Sequence, residues 1–331
     1  MSTPGALVSL ESIHDAAERI RGYALRTPMM VSPWQGLSLK PESLQPVGSF
    51  KLRGAATAIT RLAPQVRRRG LVAMSSGNHA QAVAFVARAL GIAAHIFIPD
   101  NAPARKIEAT RALGASVEVV PLEQAYSRPE EFARETGKAL IPPFESLDVI
   151  AGQGTIGLEI AADDPGISTI LVPVSGGGLI SGVAAAAAAL LPNTRVIGVE
   201  PELAADAADS LHTGARRVWA AEETARTIAD GLRAGLGEMA WPHVKAYVHD
   251  IVTVTEDEIE DATRRLALEA RLLAEPSGAV TTAAYLHRRR ELPPGRAVAV
   301  VSGGNIDPTF LSGLLADADN VPRNRHAGAC P

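Results

Sequence analysis

The chain has 331 residues, of which 47% are hydrophobic, and a formal net charge of −4. This length is enough to bury two cores without disulfides or metals, and the single cysteine, Cys330, excludes an intramolecular disulfide. The slightly acidic balance argues against nucleic-acid binding, and no apolar run approaches the roughly 20 residues that a bilayer span needs, so we expect a cytoplasmic protein without a membrane partner.

The apolar pattern predicts helices and strands that alternate along the chain. An amphipathic helix follows Ser12 and ends near Gly22. In the first half, the expected elements are a strand over 70–74, a helix over 79–90, a strand over 94–98, a helix over 104–113 and a strand over 116–120. In the second half, they are a strand over 169–174, a helix over 180–190, a strand over 195–199, a helix over 256–274 opened by a Thr255/Glu258 capping box, and a strand over 297–301. Such alternation is typical of parallel sheets.

Prolines interrupt this pattern between the two halves. The run Pro142-Pro143-Phe144 breaks both helix and strand, so we predict that residues 141–148 cross between two lobes. The tail after Asp319 is predicted to be unstructured.

One lysine has an unusual setting in the sequence. Residues 48–54 read GSFKLRG, which places Lys51 among small and apolar neighbours. A poorly solvated ammonium has a lowered pKa and is a candidate for forming a Schiff base with a carbonyl compound. Taken alone, such a lysine is more often an ordinary surface charge.

Three further motifs each follow a predicted strand directly. They are Ser75-Ser76-Gly77-Asn78-His79, Ser175-Gly176-Gly177-Gly178-Leu179 and Ser302-Gly303-Gly304-Asn305. Ligands of open α/β sheets bind beyond the carboxyl ends of strands, and a glycine run before a helix can bring backbone N–H groups close to a phosphate. The alternatives are a plain strand-to-helix turn for the glycine run and a capping serine for the first motif.

Together, these four motifs resemble those of the fold type II pyridoxal-phosphate enzymes, in the branch of serine/threonine dehydratases and serine racemases. The resemblance spans about residues 13–307 and implies an α/β fold, similar to the tryptophan synthase beta chain, in which two open parallel-sheet lobes hold the cofactor in their cleft. It also implies a large cofactor-binding lobe from 1–60 and 142–319, a small lobe from 61–141, a flexible tail over 320–331 and a homodimer.

The resemblance implies a role for each motif toward pyridoxal 5'-phosphate. Lys51 would bind it covalently and then act as the base that removes the substrate's Cα proton; Phe50 would pack near the ring, Asn78 would contact its 3-hydroxyl and Ser302 would face the pyridine nitrogen. Further expected cofactor contacts are Ser175, Gly176, Gly177, Gly178, Leu179, Gly231 and Glu275.

The resemblance also implies where the substrate binds. The expected carboxylate-binding residues are Ser75, Ser76, Gly77, Asn78 and His79. Ser76 matches the position from which racemases exchange a proton with Cα on the face opposite the lysine, so we predict it as a second catalytic residue. Its alternative role is as a carboxylate-binding or capping hydroxyl.

The residue at the pyridine nitrogen bears on the reaction. A hydroxyl cannot keep that nitrogen protonated as a carboxylate would, which makes the ring a weaker electron sink and favours loss of a β-leaving group. We therefore expect a dehydratase (ammonia-lyase) that converts a β-hydroxy amino acid such as L-threonine or L-serine to a 2-oxo acid and ammonia. The alternatives are a serine racemase, another β-eliminating or β-replacing enzyme acting for instance on 3-hydroxyaspartate or phenylserine, and a catalytically silent binding protein. Residues 44–51, 142–144 and 150–155 also look similar to dehydratases of hydroxyectoine breakdown.

A possible metal site follows the strand over 195–199. The spacing of Glu200, Ala204 and Asp206 matches the divalent-cation site of the resembled family, with two carboxylates and one backbone carbonyl. Such oxygen ligands suit Mg²⁺, Ca²⁺ or Mn²⁺. The alternative is that both carboxylates are simply solvated.

Overall fold

The computed structural model describes residues 5–75, 77–125 and 127–316. Ser76, Cys330 and the predicted tail over 320–331 lie outside the described residues. The strands, in chain order, are β1 (Met30–Val31), β2 (Leu37–Pro41), β3 (Leu71–Met74), β4 (Ala94–Pro99), β5 (Ser116–Val120), β6 (Ala139–Leu140), β7 (Thr169–Pro173), β8 (Arg195–Pro201), β9 (Asp250–Val254) and β10 (Ala297–Val301).

Helices alternate with these strands along most of the chain. In chain order they are α1 (Leu10–Arg19), α2 (Lys51–Arg61), α3 (Pro64–Arg67), α4 (Asn78–Leu90), α5 (Ala104–Ala112), α6 (Ser127–Thr136), α7 (Leu147–Asp163), α8 (Gly178–Leu190), α9 (Asp206–Thr213), α10 (Ala221–Thr224), α11 (Trp241–Tyr247), α12 (Glu256–Leu268), α13 (Pro276–His287) and α14 (Pro308–Ala316). None of the helices in the described ranges is long and apolar enough to cross a membrane.

The strands form two separate sheets, which confirms the predicted two-lobe α/β fold. The larger sheet has the order β1-β2-β10-β7-β8-β9, and all its neighbouring pairs are parallel except β1 with β2. The smaller sheet has the order β5-β4-β3-β6 and is entirely parallel. We call the regions built around these sheets the large lobe and the small lobe.

Both faces of the larger sheet are buried. In β7, Ile170 and Val172 belong to one hydrophobic cluster, and Leu171 belongs to the cluster on the opposite face. Because successive side chains of a strand point to opposite faces, helices must cover both sides of such a sheet. The cluster that contains Leu171 includes residues of α12 and α13, whereas the other includes residues of α8 and α11.

Helix α2, which begins at Lys51, joins the two lobes. Its Leu52 and Ile59 share a hydrophobic cluster with Leu71 and Val83 of the small lobe, and α2 also packs along α7. The small size of Gly54 permits this contact, since a Cβ there would lie 2.3 Å from the Gln153 side chain. The position of Lys51 is therefore set by contacts on both sides of α2.

A buried network of charges also fixes α2. Arg53 is fully buried and forms ion pairs with Glu42 at 2.7 Å and with Glu159 at 2.6 Å. Lys40, equally buried, contacts Glu159 at 2.6 Å. Each guanidinium and carboxylate in this group has a partner of opposite charge, which a buried ion requires.

Most predicted element boundaries agree with the structure, and two are wrong. The first helix begins at Leu10, because the hydroxyl of Ser9 rather than that of Ser12 caps it, accepting from the Ser12 amide. The predicted helix over 256–274 ends at Leu268, and Arg271 then adopts a positive φ of 56° that no right-handed helix contains. The Thr255/Glu258 capping box is confirmed.

Candidate active site

Lys51 is the first residue of α2, and its side chain is partly buried. Nζ donates a hydrogen bond to the carbonyl oxygen of Pro143 at 3.0 Å and lies 5.1 Å from the ring centroid of Phe50. Burial lowers the pKa of Lys51 to about 8. A neutral carbonyl partner and an apolar ring stabilise an ammonium less than water does, so the amine can lose its proton near neutral pH.

The first and last sequence motifs are hydrogen-bonded to each other. The amide of Phe50 donates to the carbonyl of Ser302 at 3.0 Å, and the amide of Gly304 donates to the carbonyl of Gly48 at 2.9 Å. Gly48 has a φ of 73°, and a Cβ there would lie 2.4 Å from Oδ1 of Asn305. Glycine is therefore required at position 48, and Ser302 is held beside the segment that carries Lys51.

Three side chains from distant parts of the sequence form a polar chain. Asn78, in the first turn of α4, donates through Nδ2 to Oε1 of Glu275 at 2.6 Å and accepts at Oδ1 from Nδ2 of Asn305 at 2.7 Å. Burial, followed by the negative charge of Asp230, raises the pKa of Glu275 to about 7. The orientation of the Asn78 amide is thus fixed at both of its polar atoms.

The glycine motif forms a tight turn that leads into α8. Gly177 has a φ of 82°, and a Cβ at Gly176 would lie 2.5 Å from the ring of Phe144. The first amides of a helix have no intrahelical partner and lie at the positive end of its dipole. Phe144 directly follows Pro143, the residue that accepts from Lys51, so the turn and the lysine are packed against the same short segment.

The residues that flank this turn are held by large-lobe neighbours. The hydroxyl of Ser175 donates to the carbonyl of Ala234 at 2.8 Å, and the side chain of Leu179 is buried. Gly177 also abuts the side chain of Leu236, which would lie 2.7 Å from a Cβ at that glycine.

The hydroxyl of Ser302 lies near the start of α13. It is buried and donates to the carbonyl of Ser277 at 3.4 Å, while Oγ of Ser277 accepts from the amide of Gly231 at 2.8 Å. Ser302 and Gly231, both predicted from sequence, therefore converge on Ser277, which was not predicted.

The described residues of the motif over 75–79 lie at the start of α4. The amide of Gly77 donates to Oγ of Ser75 at 3.0 Å. His79 is buried, and its Nε2 donates to the carbonyl of Ile141 at 2.9 Å. Burial, followed by the positive charge of Lys51, lowers the pKa of His79 to about 3, so its ring is neutral.

The three predicted metal ligands lie close together in the chain, at the end of β8 and the start of α9. Glu200 is buried and accepts from the amides of Ala207 and Ala208, while Asp206 accepts from the amide of Leu236 at 2.7 Å. Burial raises the pKa of both carboxyls, and the charge of Asp206 raises that of Glu200 further. Ala204 ends the intervening single-turn helix. In the described ranges, no three His, Cys, Asp or Glu side chains form a group that could hold a metal ion.

Sequence reasoning missed two other residues of the site. Asn305 belongs to a motif that was recognised, and its amide could have been included as a partner for another polar side chain. Pro143 contributes its backbone carbonyl, a group that every residue has, so the amino-acid type does not indicate this role.

Comparison with known proteins gives a consistent set of matches. The family model described as pyridoxal-phosphate dependent enzyme matches residues 20–303. The chain is 39% identical over 328 residues to the L-threonine dehydratase catabolic TdcB of Staphylococcus aureus, covering 95% of this chain and 94% of the relative. It is 40% identical over 316 residues to the serine racemase of Oryza sativa subsp. indica, covering 92% of each. The crystal structure of a threonine deaminase from T.th. superposes with a TM-score of 0.85 at 42% identity, covering 90% of this chain and 99% of that one.

The residues present fit pyridoxal phosphate. Its aldehyde needs an amine of lowered pKa, and Lys51 is one. Its phosphate needs backbone N–H donors, and the turn over Gly176 and Gly177 lies at the start of α8, where the first amides of the helix have no intrahelical partner. Asn78 and Ser302 would supply neutral polar groups for the ring.

Proposed function

The chain belongs to the family of pyridoxal-phosphate dependent enzymes, and we propose that it is a dehydratase, or ammonia-lyase, of a β-hydroxy amino acid. L-Threonine and L-serine are the substrates we expect, and the products are a 2-oxo acid and ammonia. The observation that carries this proposal is the pairing of a partly buried amine, Lys51, with a neutral hydroxyl, Ser302, in segments that are hydrogen-bonded to each other. The relative named as a threonine dehydratase supports it at 39% identity over nearly the whole chain.

We propose that Lys51 is the base that removes the Cα proton of the substrate. The cofactor, when bound, supplies the electron sink that makes the substrate's Cα proton acidic. Lys51 would hold the cofactor covalently, and its free amine would accept the Cα proton at Nζ. A pKa of about 8 leaves part of the Lys51 population neutral near pH 7, as a general base requires.

The remaining cofactor contacts are part of the same proposal. The turn that leads into α8, with Ser175, Gly176, Gly177, Gly178 and Leu179, would hold the phosphate. Asn78, whose side chain is hydrogen-bonded to Glu275 and Asn305, would contact the 3-hydroxyl. Phe50, Gly231 and Glu275 would lie near the ring, and the Ser302 hydroxyl would face the pyridine nitrogen.

A hydroxyl at the pyridine nitrogen favours elimination. Because Ser302 carries no charge, it would not hold a proton on that nitrogen as a carboxylate would, and negative charge at Cα would therefore be stabilised less. Departure of the β-hydroxyl group would relieve that charge, and the group would leave as water by taking up the proton that Lys51 had accepted at Nζ. The enamine product then hydrolyses to the 2-oxo acid and ammonia.

The substrate carboxylate is assigned to residues 75–79. The described part of this segment leads into α4, which begins at Asn78, and the first amides of a helix have no intrahelical partner and attract anions. Nε2 of His79 is already hydrogen-bonded to the carbonyl of Ile141, so His79 would contribute to the carboxylate site through its backbone and through the space that its ring fills. Ser76 is the proposed acid or base on the opposite face of Cα.

The second candidate function is racemisation. The relative named as a serine racemase is 40% identical to this chain over 92% of its length, which is as similar as the dehydratase relative. Both reactions begin with removal of the Cα proton, and they diverge according to whether a proton returns from the other face or the hydroxyl group leaves.

An assay of both products tests these functions. The purified, cofactor-loaded enzyme is incubated with L-serine, D-serine, L-threonine, 3-hydroxyaspartate or phenylserine, with and without Mg²⁺. Keto acid and enantiomer are then quantified in the same samples. Keto acid formed faster than enantiomer establishes the dehydratase, the reverse establishes the racemase, and neither product from any of the compounds overturns both proposals.

Metal binding and assembly complete the proposal. We assign Mg²⁺, or Ca²⁺ or Mn²⁺ in its place, to the carboxylates of Glu200 and Asp206 and the carbonyl of Ala204, because both buried carboxyls have raised pKa values that a cation would lower again.

We also propose a cytoplasmic homodimer, with a large lobe formed by 1–60 and 142–319 and a small lobe formed by 61–141.

A further inference from the structure

An ion pair crosses from the small lobe to the large lobe. Lys106 lies in the first turn of α5, which packs against α4 and β5 of the small lobe. Its ammonium contacts Oδ2 of Asp230, which begins a single-turn helix of the large lobe. The two side chains are 19% and 40% exposed, so the pair is partly shielded from solvent.

This pair lies beside the proposed substrate site. Nζ of Lys106 would be 3.9 Å from a Cβ at Gly77, in the segment assigned to the substrate carboxylate. Asp230 adjoins Gly231, whose amide donates to Ser277. The charges of Lys106 and Asp230 also act on the carboxyl of Glu275, in opposite directions. Both members of the pair are therefore close to the groups that surround the proposed cofactor ring.

A neighbouring pair on the same turn provides a comparison. Arg105 lies 3.6 Å from Asp307 of the large lobe, and these side chains are 45% and 50% exposed. A long, exposed ion pair of this kind contributes little to holding two elements together. Arg105 and Lys106 thus each form an ion pair with a carboxylate of the large lobe. Of these two pairs, that of Lys106 is the shorter and lies next to Gly77.

We propose that Lys106 and Asp230 are positioning residues whose ion pair holds α5 and the carboxylate-binding segment against the large lobe, and that this pair sets the affinity of the enzyme for its amino acid substrate. Lys106 is thereby distinguished from a catalytic group, because its ammonium is engaged by Asp230. The expected effect of the pair on substrate affinity rests on the proposed function. Its expected effect on how firmly α5 is held against the large lobe does not.

The kinetic test uses the cofactor-loaded enzyme and four variants: Lys106→Met, Asp230→Asn, the double variant and Arg105→Met. We expect each of the first two to raise KM by about tenfold while kcat changes by less than about threefold, and the double variant to be no worse than either single one. Arg105→Met removes the same charge from the same helix turn, and we expect its KM to stay within about twofold of wild type.

A second readout does not depend on turnover. Hydrogen–deuterium exchange of the amides over 102–112 should be faster in Lys106→Met and Asp230→Asn than in wild type, and unchanged in Arg105→Met. Unchanged exchange in Lys106→Met, additive effects in the double variant, or an equal rise of KM in Arg105→Met would each overturn the inference. If the wild-type enzyme released no keto acid, the proposed function would fail, and the exchange data alone would decide whether the pair holds the cleft closed.

Discussion

The side-chain amide of Asn78 donates to the carboxyl of Glu275 over 2.6 Å, and this bond connects the first turn of α4 in the small lobe to the N-cap of α13 in the large lobe. A glutamate in this position is buried and lies near a second carboxylate, Asp230. Its protonation therefore affects both the stability of the protein and the orientation of Asn78.

The first prediction concerns pH. The pKa of Glu275 is raised from 4.5 to about 7, so between these values the folded state binds more protons than the unfolded chain, and stability falls as pH rises. Glu275→Gln has no titrating carboxyl at this position and should not show this fall in stability. We therefore expect the unfolding free energy of the variant, relative to that of wild type, to rise by on the order of 2–3 kcal/mol between about pH 5 and pH 8.

Urea unfolding of the cofactor-free protein across this pH range checks the prediction. Glu131→Gln, at an exposed position of α6, is the control and should show no such trend. A difference between Glu275→Gln and wild type that stays constant with pH would contradict the raised pKa.

The second prediction concerns Lys51. Lys51→Ala should lose the visible absorbance of the bound cofactor and all turnover, because no other amine occupies this position beside Pro143 in the described part of the chain. Far-ultraviolet circular dichroism should be unchanged. Lys245→Ala, which alters an exposed lysine on α11, should retain both properties. A wild-type spectrum in Lys51→Ala would show that the cofactor is held elsewhere.

The third prediction separates backbone strain from crowding in the glycine turn. Gly177 and Gly214 have similar positive φ values of 82° and 72°, but a Cβ at Gly177 would lie 2.5 Å from that of Ala240, whereas nothing lies within 4 Å at Gly214. We expect Gly177→Ala to weaken cofactor binding by at least about tenfold, and Gly214→Ala to leave it nearly unchanged. Absorbance titration with pyridoxal phosphate measures both. Equal affinities in the two variants would remove the turn from the phosphate site.

The fourth prediction concerns the carboxylates at the end of β8. MgCl₂ should raise the melting temperature by a few degrees over NaCl of equal ionic strength, because the cation stabilises the folded state that binds it. The raised pKa of Glu200 means that protons compete, so the shift should be smaller at pH 5 than at pH 8. Glu200→Gln should abolish the shift, and Glu202→Gln, at an exposed position, should keep it. A shift that survives in Glu200→Gln would place the cation elsewhere.

The fifth prediction concerns the buried charges around α2. Arg53→Met leaves the carboxylates of Glu42 and Glu159 without their guanidinium partner, and we expect it to cost about 3–5 kcal/mol of unfolding free energy. Arg21→Met breaks the exposed pair with Glu18 and should cost less than about 1 kcal/mol. Denaturant unfolding compares the two. Similar losses in both variants would mean that the buried network is no more important than a surface pair.

The sequence predicted the fold best where its elements have two different faces or a capping signal. The Thr255/Glu258 box marks the start of α12, and the predicted strand over 297–301 coincides with β10. Helix α13 was missed because it is buried on all sides from Pro276 to Tyr285, so it has no polar face and no period of 3.6 residues. Strand β2 was missed because it contains Lys40, whose burial depends on the distant Glu159.

The predictions for the site depended on local motifs, and what they missed depends on tertiary structure. Three of the four motifs were recognisable because serine, glycine and asparagine cluster directly after a strand. The contacts of Lys51 with the Pro143 carbonyl and of Lys106 with Asp230 join residues that are 92 and 124 positions apart. No local pattern contains such pairs, because they exist only once the lobes are packed together.

The place of β10 in the larger sheet has a consequence for synthesis of the protein. This strand lies between β2 and β7, so within the described ranges the strands β1 and β2 join the rest of that sheet through residues 297–301. On the ribosome, the segment that carries Lys51 must therefore wait for nearly the whole chain before its sheet can close. A nascent chain halted before β10 would hold the lysine and the glycine turn and still lack a cofactor site.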